Sequence, residues 1–332
     1  MVKKMENIVV TGGAGFIGSN LVDYLLEYDN YNITIIDNLS TGNVDNIVKS
    51  DRVKFINYDL SESNNLEEIV GVADYIYHLA ALADIVPSIN NPDTYFQSNV
   101  IGTFNLLNAI RNNKRIKKFI YAASSSCYGI PENYPTSEDS SIDVRYPYAL
   151  TKRLGEEMCL HFGNVYNLPI ISTRFFNVYG PKSRTNGTYG AMFGVFLAQK
   201  IHGKPFTVVG DGNQTRDFTY VTDICSALYK LSLSDITNEI FNVGSGIATS
   251  VNDIVNLLGG DVVYIPKRPG EPDITLADIS KIKQAINWSP TISISEGVSL
   301  LMDNINYWND APVWEPDTIS IATADWFKYL KD

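Results

Sequence analysis

The sequence predicts an α/β fold: a doubly wound parallel sheet (a Rossmann fold) with a smaller mixed α/β lobe for binding substrate. Three observations predict it. Short β-branched runs alternate with helical patterns through the first half. Those runs are apolar on both faces, as strands covered by helices on both sides must be. A glycine turn, "VVTGGAGFIGSN", joins the first run to the first helix.

In order, "NIVVTG", "NITIID", "VKFINYD", "ADYIYHLA", "KKFIYAASS" and "PIISTRFF" read as buried strands. Between them "FIGSNLVDYLLEY", "TYFQSNVIGTFNLLNAIRNN" and "ALTKRLGEEMCLHFGNVY" read as helices. After about Phe176 glycine and proline become frequent, in "YGPKSRTNGTYGAMFG", "GDGNQTRDF" and "IPKRPGEPD", and the elements shorten. The expected division is a dinucleotide-binding domain over 1–176, with return segments near 215–245, and a discontinuous substrate lobe over 177–332. That lobe should close over the carboxyl ends of the strands.

Composition narrows the function. A chain of 332 residues, 45% hydrophobic and 19% charged, is ordinary globular material. No run of about 18 apolar residues appears, which argues against a membrane span. The start, "MVKKMENIVVTGG", passes from a short apolar run straight into the glycine turn and does not read as a secretory signal. Three widely spaced cysteines (Cys127, Cys159, Cys225) suggest free thiols in a reducing compartment, so a cytoplasmic protein is expected. With only His78, His161 and His202 and no paired Cys/His spacing, no metal site is expected. A net charge of −11 argues against nucleic acid or an anionic membrane as partner. An anionic substrate would have to be met by a few local arginines.

Gly12, Gly15 and Gly18 give a G-x-x-G-x-x-G spacing, one residue wider than the common dinucleotide fingerprint. It provides a tight turn, close approach of backbone to a pyrophosphate, and an anion at a helix N-terminus. Asp37 ends the next strand. A carboxylate there accepts both ribose hydroxyls and repels a 2′-phosphate, favouring NAD over NADP. Further on, "RYPYALTKRLGEE" sets Tyr148 and Lys152 four residues apart, on one helical face. The sharper reading of this pair is a phenol activated by an ammonium. Lowering a tyrosine pKa from about 10 to about 7 takes about 4 kcal/mol.

Together, T-G-x-x-G-x-x-G, the Asp after the second strand, "HLAA" after the fourth, a serine-rich end to the fifth and Y-x-x-x-K resemble the extended short-chain dehydrogenase/reductases. Within them the chain resembles the NAD-dependent sugar-nucleotide epimerase/dehydratase branch, to about Asn306. The resemblance implies a catalytic set of Ser124, Tyr148 and Lys152. Tyr148 would be the base, Lys152 would also bind the nicotinamide ribose, and Ser124 would bond the reacting hydroxyl. It implies an NAD site from Gly12, Gly15, Phe16, Ile17, Gly18, Asp37, Asn38, Asp59 (adenine), Leu60, Leu79, Ala80, Ala81, Asn99, Tyr148, Lys152 and Phe176.

Dehydratases of this branch resemble T-D-E just after the catalytic serine position, and decarboxylases T-S-E. This chain has "SSSCYG", so Ser125 and Ser126 offer no acid and plain 4-epimerisation is left. Asn177 would touch the substrate diphosphate or sugar, and Arg216 and Arg268 would hold the diphosphate; the competing reading of these arginines is salt bridges to Asp217 or Glu271. Thr275 stands where relatives restricted to glucose and galactose carry a bulky tyrosine. The space it leaves favours UDP-GlcNAc/UDP-GalNAc, with UDP-Glc/UDP-Gal possible alongside. A UDP-glucuronate 4-epimerase, another nucleotide-sugar epimerase or ketoreductase, and a non-catalytic NAD-binding module are the alternatives. The resemblance also implies a homodimer, formed through helices 94–112 and 148–166. The tail "YWNDAPVWEPDTISIATADWFKYLKD", with three of the four tryptophans, is expected to dock on the chain's own surface.

Overall fold

The computed structural model describes residues 5–183 and 190–330. Residues 184–189, inside the glycine-rich stretch noted above, lie outside the described residues. The first half alternates as expected: β1 (Glu6–Thr11), α1 (Phe16–Leu26), β2 (Tyr31–Asp37), β3 (Val53–Asn57), α2 (Leu66–Val70), β4 (Tyr75–His78), α3 (Ile85–Asn90), α4 (Pro92–Phe96), α5 (Gly102–Ile110), β5 (Lys118–Ser124), α6 (Pro147–Tyr166) and β6 (Ile170–Phe175). Then come β7 (Asn177–Tyr179), α7 (Met192–Ile201), β8 (Phe206–Val209), β9 (Thr215–Tyr220), α8 (Val221–Ser232), β10 (Glu239–Val243), β11 (Ala248–Ser250), α9 (Val251–Leu258) and β12 (Val262–Ile265). The chain ends in α10 (Ser280–Ile286), α11 (Ile294–Asp303), α12 (Pro316–Ala322) and α13 (Ala324–Tyr329).

The main sheet has the order β3-β2-β1-β4-β5-β6-β10, and every pairing is parallel. Strand alternation builds a core on each face. Ile8 and Val10 of β1 point to one side with Leu21 and Leu25 of α1 and Ile224 and Leu228 of α8. Val9 points to the other, with Leu106 and Leu107 of α5 and Cys159 of α6. All three cysteines are free and buried. The order reverses between β1 and β4, so the carboxyl ends of those strands open a crevice suited to a ligand.

The chain crosses between lobes. β7, β9 and β11 form a separate three-stranded sheet, and β8 pairs with β12. α8 then returns to pack on α1, and β10 extends the main sheet beside β6. The lobe's own core gathers Phe193, Phe196, Val208, Ile254, Leu301 and Trp308.

Two local features differ from the sequence reading. The helix expected over "TYFQSNVIGTFNLLNAIRNN" is α4, a π-helical turn over Gln97–Ile101, and α5 in succession. That turn includes Asn99, whose side chain is spent on neighbouring backbone, as described below. α6, by contrast, is one 20-residue helix that starts with Pro147 in its first turn and stops at Asn167, φ +55°. Proline there gives up no helical bond, and asparagine tolerates the left-handed stop.

Candidate active site

A cleft of about 700 Å³ runs between the lobes, lined by the glycine turn, the ends of β2, β4 and β5, the start of α6, and the segments around Asn177, Arg216 and Arg268. At the glycine turn Gly12 has φ +71°, and a Cβ there would come within 2.7 Å of the Ala80 backbone nitrogen. A Cβ on Gly18 would collide with the Gly12 carbonyl, so α1 can sit this close to the turn only with glycine. Gly15 caps α1 with no side-chain bond and no acid follows in the first turn, which leaves the helix N-terminus positive.

Asp37 accepts from the Ala14 N–H at 3.0 Å and the Leu39 N–H at 2.8 Å. Burial raises its carboxyl above the usual range, and those two bonds act against the rise. Asn38 donates to Asp59 at 2.8 Å. Burial alone would raise Asp59, but hydrogen bonds from Ser61 and Asn38 hold it below the usual range. Gly12, Gly15, Phe16, Ile17, Gly18, Asp37, Asn38, Asp59, Leu60, Leu79, Ala80, Ala81 and Phe176 all face the cleft.

Asn99 is placed differently. It is buried, accepts from the Leu82 N–H at 2.8 Å, and donates to the Leu82 carbonyl and Thr151 Oγ1, both at 3.0 Å. It is not part of the cleft wall; it pins the loop after β4 to α6. A two-sided amide so engaged has little left for a ligand.

β5 delivers Ser124 and α6 delivers Tyr148 and Lys152 to the cleft wall. Ser124 Oγ lies 2.6 Å from Ser126 Oγ. Burial raises the Tyr148 phenol above its ordinary value; hydrogen bonds to Ser124 and Ser126 pull it back, and the nearby Asp84 pushes it up again. Lys152 is buried over the Tyr121 ring, 4.5 Å from its centroid, and burial brings it down to about 8. The expected lowering of Tyr148 is therefore not a property of the protein alone: burial acts against both the phenolate and the ammonium.

Also in the lining, Arg216 pairs with Glu271 at 2.8 Å, and Arg268 lies 3.7 Å from the other oxygen of the same carboxylate. Both arginines line the cleft and share this acid, so of the two acids named as possible partners Glu271 is the one they meet. Asp217 is not that acid. It is buried and accepts from the Ser245, Gly246 and Ala277 N–H groups at 2.6, 3.0 and 3.0 Å, tying the lobe's loops together. Thr275 donates to Asn177 Oδ1 at 3.1 Å and accepts from the Asp217 N–H at 3.2 Å. Ser125, Asn177 and Thr275 are all in the wall.

Sequence reading missed several wall residues, Asp84, Arg145, Tyr146, Trp314 and Trp326, and named Glu271 only as a partner for the arginines. Tyr146 stacks near Tyr148, with centroids 6.4 Å apart and planes 9° from parallel. Arg145 pairs with Asp143 at 2.9 Å, and its Nη1 is buried without a hydrogen-bond partner among the described residues. Only Tyr146 carried a usable signal, by adjacency to Tyr148. His78, in "HLAA", is buried between Thr11 Oγ1 (2.7 Å) and Thr103 Oγ1 (2.9 Å). Burial, then the charge of Lys152, depress it to about 3, so it is neutral scaffolding. Among the described residues no group of three or more His, Cys, Asp or Glu side chains could hold a metal ion. No described helix is long and apolar enough to cross a membrane.

A parallel doubly wound sheet, a glycine turn with an acid closing the next strand, and Ser, Tyr and Lys in the wall of the same cleft define an extended short-chain dehydrogenase/reductase. The family model described as GDP-mannose 4,6 dehydratase matches residues 9–301, and the chain belongs to that family. It is 31% identical over 306 residues, 88% of this chain and 96% of the other, to the UDP-glucose 4-epimerase of Mycolicibacterium smegmatis. Its fold matches the UDP-N-acetylglucosamine 4-epimerase of Methanobrevibacter ruminantium M1 in complex with UDP-N-acetylmuramic acid, with a TM-score of 0.84, 35% identity, and 91% and 99% of the two chains covered. It also matches the UDP-glucuronic acid 4-epimerase of Bacillus cereus in complex with UDP-glucuronic acid and NAD, with a TM-score of 0.84, 34% identity, and 90% and 99% covered.

Proposed function

We propose that the protein is an NAD-dependent nucleotide-sugar 4-epimerase acting on a UDP-hexose, with UDP-GlcNAc/UDP-GalNAc favoured and UDP-Glc/UDP-Gal alongside. The observation that carries the reading is a single cleft whose wall holds Asp37, the pair Arg216 and Arg268, and the set Ser124, Tyr148 and Lys152. The residues fit NAD: the helix N-terminus at Gly15 suits a pyrophosphate and the Asp37 carboxylate suits an unphosphorylated ribose. Epimerase relatives on three substrates support the reaction class.

When bound, NAD supplies a hydride acceptor and donor and, in its oxidised form, a positive ring. With NAD bound as hydride acceptor, Tyr148 would take the proton from the sugar 4-hydroxyl, leaving a 4-keto sugar. Ser124 donates to the reacting oxygen. The arginines grip the diphosphate, so the sugar can turn over while the nucleotide stays in place. Tyr148, now holding the proton, would return it to the 4-oxygen when the bound cofactor gave its hydride back to the other face of the sugar. Nothing is consumed, and the product differs only at C4. The absence of an acid at Ser125 and Ser126 supports this course over elimination, although the family model bears a dehydratase's name.

Thr275, small and at the wall, supports the N-acetylated sugars. Exposed Phe104, Leu150 and Val165 on α5 and α6 support a homodimer through those helices. Incubation with UDP-GlcNAc, UDP-Glc and UDP-glucuronate, with products resolved by anion-exchange chromatography, tests the reading. UDP-GalNAc from UDP-GlcNAc is expected; no 4-epimer from any of the three overturns it.

A further inference from the structure

The C-terminal segment does dock on the chain's own surface, but the surface is the cleft. Trp326 of α13 is 4% exposed and lines the cleft wall. Its indole N–H donates to the Pro269 carbonyl at 2.8 Å, and the Arg268 guanidinium sits over its ring, 5.5 Å from the centroid. α13 also packs on α3, and α3 packs on α6, which carries Tyr148 and Lys152. At the other end of the segment, the Trp314 carbonyl accepts from Gln199 at 2.7 Å and Glu315 pairs with Lys204 at 2.8 Å. The segment therefore spans from the substrate lobe to the dinucleotide domain.

An arginine loses rotamer freedom when it binds a diphosphate, and a floor that fixes it beforehand removes part of that cost. Glu271 holds Arg268 from one direction at 3.7 Å. Trp326 holds it from another and fixes the adjoining backbone through Pro269. We propose, resting on the UDP-sugar reading above, that Trp326 is a positioning residue for Arg268 and that the C-terminal segment is part of the diphosphate site. The contact is a cation–π pair at a largely desolvated place, and it orients the guanidinium toward the cleft.

The test is UDP binding by titration calorimetry on the full chain loaded with NAD, comparing wild type, Trp326→Phe, Trp326→Leu and Trp326→Ala. Loss of the aromatic face in the Leu and Ala variants should weaken UDP about 2- to 30-fold. KM for the UDP-sugar should rise by a similar factor, with kcat and retained NAD unchanged. Trp326→Phe keeps a face and should recover most of the affinity. On an Arg268→Ala background the Trp326 substitutions should have no further effect on UDP. A purely structural role would lower Tm without this coupling. Trp326→Leu binding UDP as tightly as wild type, or losses that add fully to those of Arg268→Ala, overturn the inference while leaving the proposed function intact. Wild-type protein that binds no UDP overturns the UDP-sugar reading, and the inference with it.

Discussion

Replacing Thr275 with tyrosine tests the reading of sugar choice. The position is well fixed: the Thr275 N–H donates to the Thr215 carbonyl at 3.1 Å, and the side chain bridges Asn177 and the Asp217 backbone. The backbone bond to Thr215 survives the substitution, so the larger side chain is expected to project into the cleft that Thr275 lines. Overpacking costs about 1–3 kcal/mol, which corresponds to a loss of about 5- to 150-fold in kcat/KM for the sugar that needs the space. The mutation also removes two hydrogen bonds of about 0.5–1.5 kcal/mol each, a loss shared by every substrate. Thr275→Val removes the same hydroxyl at nearly constant volume, so the ratio of the two variants isolates volume. The assay is initial rates of 4-epimer formation from UDP-GlcNAc and UDP-Glc, measured in parallel. The expected result is a selective loss on UDP-GlcNAc in the tyrosine variant and equal, smaller losses on both sugars in the valine variant. Equal losses on both sugars in the tyrosine variant would refute the argument, because the diphosphate grip is common to the two.

Tyr148→Phe keeps the ring and its stacking with Tyr146, so turnover should fall about 10²-fold or more while retained NAD, read by absorbance after denaturation, is unchanged. Asp37→Asn keeps an oxygen to accept from Ala14 or Leu39 but loses the charge. NAD should bind about 10- to 100-fold more weakly and the preference over NADP should narrow in parallel titrations. Glu156 is buried against Arg174, at 2.8 Å, with Ser172 donating to it at 2.8 Å and Arg153 also paired. Glu156→Gln strands the buried guanidinium at about 3–5 kcal/mol, lowering Tm by about 4–7 °C in thermal unfolding of a chain this long. Burial alone would raise the Glu156 carboxyl, but Arg174, Ser172 and Arg153 hold it below the usual range. Its contribution to stability is then complete above the unfolded pKa of about 4.3 and fades as pH falls through the lower folded value, so the variant should lose less stability than wild type on acidification below about pH 4.

The sequence by itself determined whatever depends on neighbours along the chain. The strand–helix alternation fixed the parallel sheet, because runs apolar on both faces cannot face water. The glycine spacing with Asp37 and the helical pairing of Tyr148 with Lys152 are local geometries, legible from spacing alone. Tertiary structure decided what depends on distant segments meeting. Whether Arg216 meets Asp217 or Glu271 turned on loop packing, since Asp217 is consumed by three backbone N–H groups from elsewhere in the lobe. Asn99 points to Leu82 and Thr151 because the π-helical turn carrying it lies against α6. The Tyr148 phenol is raised because burial, a sum over the whole surrounding fold, outweighs its two hydroxyl partners. Trp326 reaches Arg268 across 57 intervening residues, a contact that no period or spacing encodes; only the folded chain brings indole and guanidinium together at the cleft.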